Sequence, residues 1–68
     1  MRRRELLRKL ESLGRGRGWE LVFIRHGGKH DHFLIGPIHL TIPRHKNINE
    51  QLARKMINQV DRYEGGTQ

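Results

Sequence analysis

The sequence predicts a two-layer α+β domain in the order α-β-β-β-α, with a three-stranded antiparallel sheet and both helices on one of its faces. Three observations carry this. Apolar residues recur at helical spacing near both ends of the chain. Stretches rich in branched and aromatic residues fill the middle. Two glycine-marked turns, Gly27-Gly28 and Gly36-Pro37, divide those stretches. Amphipathic helices and half-buried strands at this scale bury their apolar faces against each other, and two layers suffice.

The first helix is expected over residues 3–13. Leu6, Leu10 and Leu13 form its inner stripe, with Leu7 beside them, while Arg4, Arg8, Glu11 and Arg15 face away. No capping residue precedes it, so its first turn should fray. Gly14 is placed at the left-handed position that ends a helix. The arginines read first as a solvated helix face, with RNA contact as the rival.

Trp19 to Arg25 is expected as the first strand. Apolar residues fall on both of its faces, which suits a strand covered on both sides or one that meets a partner. Gly27-Gly28 signals a hairpin. A strict two-residue Gly-Gly loop would set Phe23 on the wrong face for a core residue, so a bulge is expected at Gly27 or Gly28. Trp19, Leu21 and Phe23 are then core.

His30 to Ile35 and Ile38 to Pro43 are the next two strands, joined at Gly36-Pro37. That turn sets Ile35 opposite Ile38, Phe33 opposite Leu40 and Asp31 opposite Ile42, all on the helix-covered face. His30, His32, Leu34, His39 and Thr41 share the other face. His30 falls opposite Pro43, so one end of the sheet gathers Lys29, His30, Arg44 and His45. The second helix is expected over residues 47–63, with Asn47 and Glu50 at its start and Ile48, Leu52, Met56, Val60 and Tyr63 as its stripe. Residues 1–64 make one domain, and residues 65–68 are expected to be a disordered tail.

The 68 residues carry 14 lysines and arginines against seven acids, a formal charge of +7. Such a surface suits a polyanion, because each neutralised phosphate releases counterions. A chain this short buries only about 60% of its unfolded surface, so chemistry must sit on an open face or loop. There is no cysteine, which excludes disulfides and thiolate metal sites. No apolar run is long enough for a secretion signal or a membrane span, so a cytoplasmic protein with no membrane partner is expected.

The sequence shows no phosphate-binding loop, dinucleotide fingerprint or nucleophilic serine or cysteine context. Five histidines remain: His26, His30, His32, His39 and His45. His30 and His32, with His39, could ligate zinc. No supporting carboxylate is evident, so no metal or other cofactor is assigned. The favoured chemistry needs neither. RNA carries its own nucleophile, the 2′-hydroxyl. Histidine can move protons near neutrality, and lysine or arginine can hold the extra charge on phosphorus.

Three segments and their order resemble the HicA-type toxins of bacterial toxin–antitoxin systems. They are Trp19-Glu20-Leu21, then Arg25-His26-Gly27-Gly28-Lys29-His30-Asp31, then Thr41-Ile42-Pro43-Arg44-His45-Lys46. Ile48-Asn49-Glu50 with Leu52-Ala53 and Ile57 extends the similarity to about residues 2–62. The resemblance implies a double-stranded-RNA-binding-like fold. It also implies an endoribonuclease that cleaves mRNA and is neutralised by a HicB-type antitoxin. Many members carry Gly-Ser-His at the turn with a catalytic histidine, which places that role on His30. Lys29 stands here where serine often does, so no role of a serine hydroxyl carries over. Phosphate or RNA contact is expected from Lys29, Arg44, His45 and Arg25. The Gly-Arg-Gly-Arg stretch is longer than the family's usual link between helix and strand.

Overall fold

The computed structural model describes residues 1–64, so the tail expected at 65–68 lies outside the described residues. Its elements run α1 (Arg3–Arg15), β1 (Leu21–Gly27), β2 (His30–Ile35), β3 (Ile38–Pro43) and α2 (Glu50–Asp61). The sheet is antiparallel in the order β1-β2-β3. One core joins Leu6 and Leu10 of α1, Phe33, Ile35, Ile38, Leu40 and Ile42 of the sheet, Ile48, and Ala53, Met56 and Val60 of α2. The β2–β3 register is the expected one in every pair, from Ile35 opposite Ile38 to His30 opposite Pro43. Alternation then buries Asp31, Phe33 and Ile35 and turns His30, His32 and Leu34 to the open face.

α1 starts at Arg3 as expected, but its end, its first turn and the start of α2 differ from expectation. α1 does not end at Gly14 but runs one residue further, and Gly14 is buried in its interior. A Cβ there would come within 2.6 Å of Ile35 Cδ1, so this glycine serves close packing of helix on sheet. The left-handed residue is Gly18, at φ +77°. The first turn of α1 is tied down rather than frayed. The Arg3 amide donates to the Lys46 carbonyl (2.8 Å), the Ile48 amide to the Met1 carbonyl (2.7 Å), and Arg2 forms a bridge with Asn47. That leaves Asn49, not Asn47, to cap α2. Its Oδ1 accepts from the amides of Gln51 (2.8 Å) and Leu52 (3.2 Å).

β1 is one of the two edge strands, and only part of its apolar content is covered. Leu21 and Trp19 pack against the core. Trp19 meets Tyr63 edge-on, with centroids 5.5 Å apart. Phe23 is 47% exposed, against its expected place in the core, because it lies on an edge strand where, among the described residues, its ring meets those of Phe33 and His26 and no helix residue of the core. Val22 and Ile24 are exposed as well, and Leu34 beside them extends the patch.

The bulge exists, but at Ile24 rather than at the glycines. Pairing steps from Phe23–Phe33 to Arg25–His32, leaving Ile24 without a partner. The hairpin loop is Gly28-Lys29, since Gly27 pairs with His30. Gly28 takes φ +66°, as a glycine-first hairpin turn requires. Gly27 stays in the strand because the His32 ring lies over it. A Cβ at 27 would come 2.5 Å from His32 Nε2.

Gly36 also has positive φ, +58°, and a Cβ there would strike the Trp19 ring. Gly36→Ala should therefore cost about 1–2 kcal/mol for backbone strain and about 1–3 kcal/mol more for displacing the indole. Gly28→Ala, with open space around it, should lose only the first amount. Urea unfolding of the two variants beside the parent protein measures the difference.

Candidate functional site

The outer end of the β1–β2 hairpin collects the chemistry. Arg44 follows β3 and is pinned to the hairpin loop twice. Its amide donates to the Lys29 carbonyl (3.1 Å) and its Nη1 donates to the Gly28 carbonyl (3.3 Å). So Arg44 and the Lys29-His30 segment do come together, as their opposed positions in the register require. His30 and Lys29 are exposed, and so is His45. Among the described residues no side-chain hydrogen bond is found for these three. Arg25 lies opposite His32 on the open face.

The open face carries a second arrangement. His32 Nδ1 lies 3.0 Å from His39 Nε2, with the rings 5.0 Å apart and nearly parallel at 6°. One of these nitrogens must donate and the other accept, so the bond is lost when both rings are charged. Desolvation, followed by the charges of Arg25, His39 and His30, holds the His32 pKa below the usual histidine value. His32 is thus neutral at neutral pH. Among the described residues, no group of three or more histidines or acids is disposed to hold a metal ion.

The other face of the same hairpin end holds a cluster that the sequence reading missed. Asp31 is only 7% exposed, at the end of the apolar row. Arg3 Nη2 donates to its Oδ2 at 2.7 Å, and His26 Nδ1 lies 2.7 Å from its Oδ1. Arg44 Nε stands 3.7 Å from the same Oδ1. Arg3 also donates from Nε to the Pro43 carbonyl (3.0 Å). The signal was present in the chain. A carboxylate placed opposite Ile42 in a buried row needs partners. Moving the loop one residue, to Gly28-Lys29, brings His26 opposite it.

No protein-family model, curated protein or solved structure matches this chain. The site is therefore read from its own geometry. Two properties stand out: a cation fixed at the hairpin tip that also carries an exposed histidine, and a histidine on the opposite face oriented by a buried carboxylate. Among the described residues, no helix is long and apolar enough to cross a membrane.

The Asp31 carboxyl is held below the usual aspartate range, first by the His26 hydrogen bond and then by the charges of His26, Arg44 and Arg3, against the opposing effect of burial. A carboxyl with a depressed folded-state pKa adds stability above its unfolded value of about 3.9. That stability drains away as pH falls through the folded value. The wild type should thus lose stability steeply on acidification from about pH 4. Asp31→Asn should start less stable at pH 7 and show a shallower acid limb. Thermal unfolding followed at a series of pH values measures both slopes.

Proposed function

We propose that this protein is an endoribonuclease that cleaves mRNA, using the 2′-hydroxyl of the substrate as nucleophile and no resident metal. It acts as the toxin of a toxin–antitoxin pair and is held inactive by a HicB-type antitoxin. The observation that carries this reading is the double attachment of Arg44 to the Gly28-Lys29 loop, which fixes a guanidinium at the same hairpin end that carries the exposed His30. His30 transfers a proton, while Lys29 and Arg44 hold the non-bridging phosphate oxygens, with Arg25 and His45 contacting the strand further along. The net charge of +7 supports a polyanionic substrate. The α-β-β-β-α order agrees with the double-stranded-RNA-binding-like fold that the HicA resemblance implies.

A second reading is an RNA-binding module that does not cut. It is favoured by one observation: among the described residues nothing hydrogen-bonds the His30 ring to fix its orientation. The two readings share affinity for RNA and differ in cleavage.

Purified protein incubated with mRNA, with and without a chelator, should cut in both cases. His30→Ala should remain folded and lose about 10²–10⁴ in rate, as loss of one acid–base group typically costs. His39→Ala should retain most of the activity. Retention of RNA without cutting, by wild type and variants alike, selects the second reading.

Affinity for RNA should fall steeply between 50 and 200 mM salt, since phosphate contacts dominate. Fluorescence anisotropy with a labelled strand measures the slope, and a flat response would exclude phosphate tracking.

A further inference from the structure

We propose that His26, oriented by Asp31, is a second proton-transfer residue in RNA cleavage, and that the RNA reaches it along the basic trough between α1 and β1. The inference rests on the endoribonuclease reading above and adds a residue to which that reading assigns no catalytic role.

The tautomer of His26 follows from its partner. An ionised carboxylate only accepts, so the Nδ1 facing Asp31 must carry the hydrogen. In the neutral ring the proton-accepting atom is then Nε2, which has no partner among the described residues. The side chain is 65% exposed while Asp31 is buried, so the ring is anchored at one nitrogen and open to solvent along its length. Asp31 is itself held by Arg3 from α1 and by Arg44 after β3. This carboxylate–imidazole pairing fixes the tautomer and orientation of an acid–base catalyst. His30 has no such partner.

The surroundings of His26 suit a nucleic-acid strand. The trough is lined by Arg2, Arg3, Arg4, Arg8 and Lys46, with Leu21 on its β1 side and Glu11 also present. From Leu21 the same face of β1 continues to Phe23 and His26, because the bulge at Ile24 keeps both on the side of Phe33 and Asp31. Phe23 meets the His26 ring edge-on, with centroids 5.0 Å apart, and is half exposed. An exposed aromatic ring beside a row of cations is a base-stacking platform on a phosphate track.

His26 and His30 leave the hairpin end from opposite faces, on either side of Gly27, whose partner in the sheet is His30. Displacement at phosphorus places the entering and departing oxygens on opposite sides, so a strand crossing the hairpin tip at Gly28, which has open space around it, can meet one imidazole on each side. In the step, neutral His26 takes the 2′-hydroxyl proton at Nε2 as O2′ bonds to phosphorus. The bond from phosphorus to the 5′-oxygen breaks, and that oxygen takes a proton from the imidazolium of His30. The products are a 2′,3′-cyclic phosphate and a 5′-hydroxyl.

The test compares wild type, His26→Ala and His30→Ala on one labelled RNA, with circular dichroism for folding and anisotropy for binding. His26→Ala should fold, bind RNA as wild type does, and cut about 10²–10⁴ times more slowly. Free imidazole in the buffer should restore part of its rate, which a merely structural role would not allow. A folded His26→Ala protein that cuts at the wild-type rate overturns this proposal and leaves the endoribonuclease reading standing. The same holds if its loss of activity tracks a loss of RNA binding and imidazole restores nothing. Wild-type protein that cuts no RNA overturns both.

Discussion

The structure depends on one buried carboxylate. Asp31 sits where the apolar face of the sheet ends, and a charge in that position is tolerable only if its oxygens are bonded. Its partners come from three other segments: Arg3 at the start of α1, His26 on β1 and Arg44 after β3. Four parts of the chain are thereby drawn to one end of the domain. Among the described residues, no buried side-chain nitrogen or oxygen is left without a partner. The same bonds that remove the cost of the buried charge also fix an imidazole and two guanidiniums around the hairpin end, so the stability of this end and its chemistry share one set of contacts.

The edge strand shows a second compromise. β1 carries more apolar residues than one helix layer can cover, and its Val22, Phe23 and Ile24 remain exposed, with Leu34 of β2 beside Val22. The bulge at Ile24 resolves the conflict between two demands on a single strand. Nearer the chain start, Leu21 must face the core; nearer the loop, His26 must face Asp31. With a strict alternation through residue 24, only one of these demands could be met. The extra residue breaks the ladder locally, as suits an edge strand that must not extend its pairing.

Histidines divide between the two faces according to their neighbours. On the open face, His32 and His39 stack and share one hydrogen bond, and the His32 ring covers Gly27. That pair fills the bare backbone behind the loop and stays neutral on the His32 side. On the helix side, His26 has a carboxylate for a partner. The same residue type thus takes different hydrogen-bond partners from its surroundings alone.

The sequence by itself determined the element order, the β2–β3 register, the inner stripes of both helices and the gathering of Arg44 with Lys29 and His30. Each of these depends on local periodicity or on a short turn, where neighbours in space are neighbours in sequence. Tertiary structure decided the rest. Gly14 reads as a helix stop, yet it packs inside α1 because Ile35, 21 residues away in sequence, leaves no room for a Cβ. Asn47 reads as a helix cap, yet it bridges to Arg2, and Asn49 takes the cap. The loop at Gly28-Lys29 and the bulge at Ile24 were chosen by contacts across the sheet, because either glycine can turn the chain but only one choice sets His26 against Asp31. The meeting of Arg3 with Asp31 joins residues 28 positions apart, and no local pattern encodes a pairing whose partners are brought together only by the closed core.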